Sequence, residues 1–311
     1  IKNEQQLFQL MKEMAGNGSP FAMNFYGMLL LGINKNQTNK KKAIEYIKKS
    51  ADLGNIYGMY NYATFLYEGK LIHKDKIKAF KYYKKAADLG HSQSMYAYAS
   101  MIYKGDDNYE NKEKAAHYFK MSADLGVRES MFLYANMVFK GEYIKKNFTE
   151  AIKYYKKAAD LGEESAMLNY AALTLNRYGK SADKNEVIKY YKMSADGNNP
   201  FLKNIYGEML LNGDVVEKNK KEAAYYLKAA ADLGNKKSMF LYANMLLNGD
   251  GIDKNLKDAA FYYKKSSEKG NPNAMFKYAQ MLFDGIGVDT NKKEAVHYFK
   301  MSADLGNSDS M

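Results

Sequence analysis

The nonapeptide YYKKAADLG spans Tyr82–Gly90 and recurs letter for letter at Tyr154–Gly162, while YFKMSADLG spans Tyr118–Gly126 and recurs at Tyr298–Gly306. Each copy ends in a glycine, and a residue equivalent to that glycine returns every 36 residues along the chain. We call these positions the markers: Gly18, Gly54, Gly90, Gly126, Gly162, Asn198, Gly234, Gly270 and Gly306. A fixed period in the range of roughly 20–50 residues is typical of a solenoid built from repeated modules.

The markers define the predicted domain organisation. We predict a partial repeat at 1–18 that holds a second helix only, the start of a further repeat at 307–311, and between them complete repeats at 19–54, 55–90, 91–126, 127–162, 163–198, 199–234, 235–270 and 271–306. The repeat at 163–198 is irregular, since Val187 replaces the usual alanine and its marker is Asn198. We expect a change in curvature there and no domain boundary.

Each repeat contains the pattern of two helices, which we number from the preceding marker. Apolar residues at positions 5, 8, 9 and 12, such as Met59 and Leu66, form one face of a first helix that ends at a glycine such as Gly69. The second helix carries a small residue at position 25, such as Ala79, and a tyrosine at position 28, such as Tyr82. The position-28 tyrosine is present in all eight repeats, so we predict a packed column of these side chains.

Composition excludes several classes of site and partner. The chain has no cysteine and four histidines, which argues against disulfides, thiolate metal sites and zinc centres. Its formal net charge is +12, but Arg128 and Arg177 are the only arginines, and lysine alone recognises phosphates and bases poorly. Nucleic acid is therefore an unlikely partner, and an acidic protein surface a better one. No run of about 18 apolar residues exists that could span a bilayer.

The repeat from Ala274 to Gly306, AMFKYAQMLFDGIGVDTNKKEAVHYFKMSADLG, resembles the Sel1-like repeat, a relative of the tetratricopeptide repeat. The resemblance covers nearly the whole chain. It implies an all-α, right-handed α-solenoid of about eight helix-turn-helix repeats of 36 residues, a superhelix whose relatives act mostly as protein-interaction adaptors. Two features depart from the family. Tryptophan, common in its second-helix aromatic pair, is absent, and so are the cysteines of one secreted branch.

The candidates for chemistry have structural interpretations. An acid recurs two residues before the marker, and we interpret it as a cap for the following helix: Asp52, Asp88, Asp124, Asp160, Asp196, Asp232, Glu268 and Asp304. His117 and His297 lie too far apart to share a metal. The turns Asp106–Asn108 and Gly249–Asp253 lack the ligand order of a calcium loop. We therefore expect no catalytic residue, metal site or cofactor, and no enzymatic activity.

The first helix carries a second stripe, at positions 6, 10 and 13, which we call the first-helix stripe. We expect it to line the inner groove of the superhelix. It combines aromatic rings with amides and hydroxyls, as a surface for an extended peptide or a partner helix would. The alternative is that positions 6 and 13 only fill the contact between adjacent helices. The predicted groove residues are Tyr60, Thr64, Tyr67, Tyr96, Ser100, Tyr103, Phe132, Asn136, Phe139, Phe240, Asn244, Leu247, Phe276, Gln280 and Phe283.

These observations predict a non-catalytic scaffold or adaptor that binds a peptide or partner protein along the groove. Two alternatives stay open: a structural component that docks through its basic surface onto an acidic polymer such as a cytoskeletal filament, and a regulatory region of a longer protein with a catalytic domain elsewhere. A cytoplasmic location is favoured. Three glycosylation sequons, at Asn17, Asn36 and Asn147, keep the endoplasmic reticulum lumen open, and the oligomeric state is undetermined.

Overall fold

A computed structural model describes residues 2–33, 37–105 and 111–307. The turn at Asp106–Asn108 and the predicted repeat start at 308–311 lie outside the described residues. Within them the regular structure is entirely helical, which confirms the all-α solenoid class. The chain divides into two compact units, unit 1 at Ile1–Glu163 and unit 2 at Glu164–Met311. The irregular repeat opens unit 2.

Seventeen helices follow in chain order in the described residues. Unit 1 contains α1 (Lys2–Gly16), α2 (Pro20–Ile33), α3 (Gln37–Asp52), α4 (Ile56–Glu68), α5 (Lys76–Asp88), α6 (Ser92–Lys104), α7 (Lys112–Asp124), α8 (Arg128–Lys140) and α9 (Phe148–Asp160). Unit 2 contains α10 (Glu164–Tyr178), a 3-10 turn (Gly179–Ser181), α11 (Lys184–Asp196), α12 (Pro200–Asn212), α13 (Lys220–Asp232), α14 (Lys236–Asn248), α15 (Leu256–Glu268), α16 (Pro272–Asp284) and α17 (Lys292–Asp304).

The helix ends follow from residues that recur at fixed positions. Asn55 lies directly after its marker and its side chain accepts a hydrogen bond from the Gly58 amide at 2.8 Å, which caps the start of α4. Gly69 has a φ of 72° and closes the same helix in the left-handed conformation that glycine tolerates best. All three prolines of the chain are first residues of helices, as their shared position predicts.

The core of each unit forms where neighbouring helices pack on one another in chain order. The alanine at position 25 is fully buried in the regular repeats, as Ala79 and Ala259 illustrate, so first and second helices approach closely. The tyrosines at position 28 are buried or half-buried in all eight repeats, which confirms the predicted column. Tyr154, for example, is 2% exposed, and its ring meets that of Tyr134 edge-on at 4.8 Å.

Hydrogen bonds join second helices of successive repeats, and they correct one interpretation. The Tyr82 hydroxyl donates to Asp52 at 2.5 Å, and Lys48 donates to the other oxygen of the same carboxylate at 2.9 Å. Capping of the next helix is carried out by asparagines such as Asn55, so the prediction that the recurrent acid is that cap was wrong. We call these bonds the Tyr–Asp rungs: Tyr82–Asp52, Tyr118–Asp88 and Tyr154–Asp124 in unit 1, and Tyr226–Asp196 and Tyr262–Asp232 in unit 2.

The rungs hold the carboxylates in the charged form. Burial of Asp52 opposes ionisation, but the hydrogen bonds from Tyr82 and Lys48 outweigh it, and together they hold the pKa of Asp52 below its ordinary value. The same balance lowers the pKa of Asp88, Asp124 and Asp232. Burial, followed by the bond to Asp88, raises the pKa of Tyr118 to about 12. The rungs of Asp52, Asp88, Asp124 and Asp232 therefore favour an ionised acid beside a neutral phenol.

Unit 2 begins with side chains that break the repeat pattern. Lys203 occupies the place of the usual methionine, is 9% exposed, and donates from Nζ to the Ala195 carbonyl oxygen at 2.8 Å. A lysine can lie in this core because its ammonium group reaches an otherwise open carbonyl at the end of α11. The predicted change in curvature stays a prediction.

Candidate functional site

The aromatic side chains at position 6 lie at the edge of the packed interface within their own repeat. Phe132 is half-buried, and its ring centroid is 6.1 Å from that of Tyr155 on the second helix. In unit 2, Phe240 contacts Tyr263 in the same way at 5.8 Å. Tyr60, Tyr96 and Phe276 repeat the contact with the aromatic residue at position 29. Each ring is therefore engaged with the second helix but only half-buried, and Tyr60 also contacts the His91 ring at 5.0 Å.

The polar side chains at position 10 accept hydrogen bonds that the sequence did not lead us to expect. In three repeats the partner is a tyrosine hydroxyl 19 residues further along the chain, at position 29. The oxygen–oxygen distances are 2.9 Å between Thr64 and Tyr83, 2.6 Å between Asn136 and Tyr155, and 2.5 Å between Asn244 and Tyr263. The signal was present in the sequence, since the repeats with asparagine or threonine at position 10 carry tyrosine at position 29.

Two further repeats have a hydroxyl or amide at position 10 but phenylalanine in place of that tyrosine. Ser100 faces Phe119, and its buried hydroxyl has no hydrogen-bond partner among the residues that the structure describes. Gln280 belongs to the repeat with Phe299 and accepts instead from Lys277 at 3.3 Å. The hydroxyl and amide groups at position 10 are therefore not uniformly committed to the fold.

The amide nitrogens of Asn136 and Asn244 are the hydrogen-bond donors that this stripe can offer to a ligand. Tyr155 and Tyr263 donate to the side-chain oxygens, which fixes each amide so that its nitrogen bears the free donors. Neither nitrogen has an acceptor in the part of the chain that the structure describes, and both residues are half-exposed. Each asparagine therefore presents two N–H groups beside the aromatic ring at position 6.

Position 13 completes the stripe with larger and more exposed apolar groups. Phe139 is 36% exposed and Phe283 is 47% exposed. The ammonium groups of Lys146 and Lys292 lie 6.0 Å and 5.3 Å from the centroids of these two rings. Tyr67, Tyr103 and Leu247 are half-buried at the same position. Exposed rings beside lysine are suited to contact with a partner, although each also covers the turn below it.

The irregular repeat and its successor interrupt the stripe in unit 2. Asn204 is buried at 4% exposure, donates to Glu208, and accepts from Ser238 at 2.7 Å. Glu208 also accepts from Lys237 at 2.8 Å. The polar groups at this point of the stripe are therefore saturated with partners from the chain itself.

Other candidate sites do not assemble. No cluster of three or more potential metal ligands occurs among the described residues, including the turn Gly249–Asp253. His91 acts as a helix cap, with Nδ1 accepting from the Ser94 amide at 3.2 Å. None of the described helices has both the length and the apolar character that crossing a membrane requires.

The comparisons with known proteins agree with this geometry. The family model described as Sel1 repeat matches eight times, at residues 20–55, 56–91, 92–127, 128–163, 164–199, 204–235, 236–271 and 272–307. The search of curated proteins gave no match.

Two solved structures share the fold. One is c5321 from uropathogenic Escherichia coli, described as a protective antigen displaying an SLR fold, with a TM-score of 0.90, 21% identity, and 97% of this chain covered. This chain spans 65% of the length of c5321. The other is a Sel1 repeat protein from Oxalobacter formigenes, with a TM-score of 0.71, 21% identity, and coverage of 97% of this chain and 88% of that one.

At these identities the two structures support the architecture and nothing finer. The family is typically one of protein-interaction scaffolds and is generally non-catalytic. The period, the paired helices and the eight matches lead to one conclusion: the chain belongs to the Sel1 repeat family.

Proposed function

We propose that this chain is a non-catalytic scaffold that binds an extended peptide segment of another protein along positions 6, 10 and 13 of its first helices. The observation that supports this most directly is the pair of donor groups on Asn136 and Asn244, each next to a half-buried ring. An extended peptide offers backbone carbonyls to such donors and side chains to the rings.

Unit 1 offers the more continuous surface for this binding. Asn136 is flanked by Phe132 and Phe139, and the repeats before it supply Tyr96 and Tyr103 at the same positions. In unit 2, by contrast, the network around Asn204 and Glu208 consumes its own polar groups.

Selection of a peptide from a displayed random library, followed by measurement of its affinity by fluorescence anisotropy, tests the proposal. We expect Phe139→Ser to weaken binding by at least about tenfold, since truncation of an interface aromatic commonly costs more than about 1 kcal/mol. Phe261→Ser is the matched control, because Phe261 is 49% exposed on a second helix, away from the stripe. The selected peptide should bind it with unchanged affinity.

The double variant Phe132→Ala with Phe139→Ala extends the test to position 6. Circular dichroism must show an intact fold, because Phe132 also packs on Tyr155. Equal affinity of the folded double variant and the unchanged chain for every selected peptide would show that the first-helix stripe is not the binding surface.

A further inference from the structure

The second helices carry an exposed stripe of their own, formed by positions 24, 27 and 31 of each repeat. We call it the second-helix stripe. In unit 1 it holds eight lysines and two glutamates, a net charge of +6. Its members there are Lys42, Glu45, Lys49, Lys78, Lys81, Lys85, Lys114, His117, Met121, Glu150, Lys153 and Lys157. In unit 2 the same positions hold two lysines and four acids, a net charge of −2.

Most of the positive charge in unit 1 is not neutralised. Lys78 lies 3.4 Å from Asp75, whereas the other seven lysines of the stripe have no carboxylate within 4.0 Å in the described parts of the chain. The nearest acids, Asp52, Asp88 and Asp124, form their hydrogen bonds and close ion pairs with tyrosines and with lysines outside the stripe. Lys85, Lys114 and Lys157 of the stripe attract these acids only over longer distances. Of the two glutamates, Glu150 accepts from Tyr134 at 2.9 Å, and Glu45 is exposed.

Lys78 pairs with Asp75, the residue that caps α5, but helix stability does not account for Lys114. Lys78 and Lys114 are the third residues of α5 and α7, where the helix dipole disfavours positive charge. Unit 2 has acids at the same place, and Asn255 and Asn291 donate to Asp258 and Glu294 at 2.8 Å and 2.9 Å in side-chain capping pairs. Lys114 therefore adds positive surface charge at a place where helix stability favours an acid.

The spacing of the lysines indicates the shape of the partner. The rungs Tyr82–Asp52 and Tyr118–Asp88 hold successive second helices of unit 1 side by side, so the lysines advance by one helix spacing, about 8–10 Å, per repeat. A polypeptide in the polyproline II conformation advances about 3.1 Å per residue with three residues per turn, so every third side chain points the same way and meets the next row. The mostly lysine composition of the stripe favours carboxylates over nucleic acid, whose recognition relies heavily on arginine.

An apolar cavity of about 370 Å³ lies next to the N-terminal end of this stripe. Ile44, Leu71 and Ile72 provide its apolar lining. Its polar lining consists of Gln37, Glu45 and three lysines, Lys40, Lys41 and Lys70, so its net charge is positive. Such a cavity accommodates an apolar side chain whose neighbours in sequence are acidic.

From charge, helix position and spacing together, we propose that the second-helix stripe of unit 1 is a docking surface for an acidic segment of a protein in the polyproline II conformation, with a carboxylate at about every third residue. This surface is separate from the first-helix stripe, so one chain can hold two segments at once. The complex should dissociate as ionic strength rises, because the contacts are exposed charge pairs.

The test uses the full chain and a synthetic peptide with glutamate at every third position. Fluorescence anisotropy at low salt should show binding, and the quadruple variant Lys49→Gln, Lys81→Gln, Lys85→Gln and Lys153→Gln should weaken it by about tenfold. The matched control, Lys221→Gln, Lys257→Gln, Lys264→Gln and Lys293→Gln in unit 2, removes the same charge and should leave affinity within about twofold. Equal losses in both variants would overturn the proposal in favour of attraction by net charge alone.

A second variant separates binding from folding. Lys114→Glu places an acid where the helix dipole favours it, so the fold should be at least as stable while the peptide binds more weakly. Three further results would overturn the proposal: equal binding of a peptide with the same composition but clustered glutamates, tighter binding of oligothymidylate, or tighter binding of anionic phosphatidylserine vesicles. None of these outcomes bears on the first-helix stripe, whose selected peptide should still bind both sets of variants.

Discussion

Units 1 and 2 are built from the same module, yet their second-helix stripes carry opposite net charge, +6 against −2. Their cores are nearly interchangeable, with Tyr154 and Tyr262 each meeting a first-helix tyrosine edge-on at 4.8 Å and 5.0 Å. The difference is therefore confined to positions that no packing requirement fixes. What the repeats share maintains the solenoid, and what they do not share distinguishes the surfaces of the two units.

The strongest test of the shared core is to truncate the same tyrosine in each unit. Tyr154 and Tyr262 are 2% and 8% exposed, and we expect Tyr154→Ala and Tyr262→Ala each to lower the free energy of unfolding by about 3–5 kcal/mol. Tyr225→Ala, at a site 68% exposed, should change it by less than about 0.5 kcal/mol. Urea denaturation measures all three. A large loss in one unit with little loss in the other would break the equivalence of the cores.

Low pH should destabilise unit 1 more than unit 2. The pKa is lowered for three rung carboxyls in unit 1, Asp52, Asp88 and Asp124, and for one in unit 2, Asp232. A carboxyl with a lowered folded pKa contributes stability above its unfolded pKa of about 3.9, and loses it as pH falls through the folded value. We expect unit 1 to lose more protection than unit 2 below about pH 4.

Hydrogen exchange measured by mass spectrometry reports each unit separately. In the triple variant Asp52→Asn, Asp88→Asn and Asp124→Asn, the acid response of unit 1 should flatten towards that of unit 2. Asp232→Asn is the control, and should alter exchange in unit 2 alone. A triple variant that keeps the full acid response would show that other groups cause it.

Removal of one rung should have a smaller effect than truncation of the ring. Tyr154→Phe deletes the hydroxyl that donates to Asp124 at 2.5 Å, and Tyr226→Phe deletes the equivalent bond to Asp196 at 2.6 Å. Because the carboxylates are partly exposed, we expect a loss of about 1 kcal/mol in either unit. Tyr46→Phe is the control, since the position of the preceding acid is taken by Gly16, and thermal unfolding should not distinguish it from the unchanged chain.

The smallest expected effect on the free energy of unfolding comes from changing the charge of the second-helix stripe, in which the two units differ most. Lys114→Glu gives α7 the acid at the third residue that the unit 2 helices have, and should raise the free energy of unfolding by about 0.3–1 kcal/mol at low salt. Lys78→Glu should not, because Lys78 pairs with Asp75 at 3.4 Å and a glutamate there would repel it. The reverse change, Glu222→Lys, should lower the free energy of unfolding by a similar amount. Thermal melts at low and high salt measure this, and a gain that persists at high salt would contradict an electrostatic origin.

The sequence predicts the fold well because its evidence is local and repeated. Position-28 tyrosines, position-25 alanines and glycines such as Gly69 each determine a helix face or end in several independent copies. The role of Asp52 was mispredicted for the opposite reason. Its partner Tyr82 lies 30 residues away, and a carboxylate near a turn resembles a cap when only its neighbours in sequence are considered.

The candidate site was harder to derive than the core. Asn136 and Asn244 were predicted to face a ligand, and their oxygens instead receive tyrosine hydroxyls from position 29, which leaves the amide nitrogens as donors. Pairing position 10 with position 29 across the repeats would have indicated this bond. Exposure of Phe139 against half-burial of Phe132 follows from three-dimensional packing and has no counterpart in the repeat pattern.

The Tyr–Asp rungs have a consequence for how such a chain changes over generations. Each tyrosine hydroxyl bonds the acid of the preceding repeat. Duplication or deletion of a whole 36-residue repeat therefore leaves every remaining tyrosine next to a repeat that supplies the same acid. The number of repeats can therefore change without loss of these bonds. Deletion of part of a repeat, by contrast, can leave a tyrosine and an acid that no longer face each other.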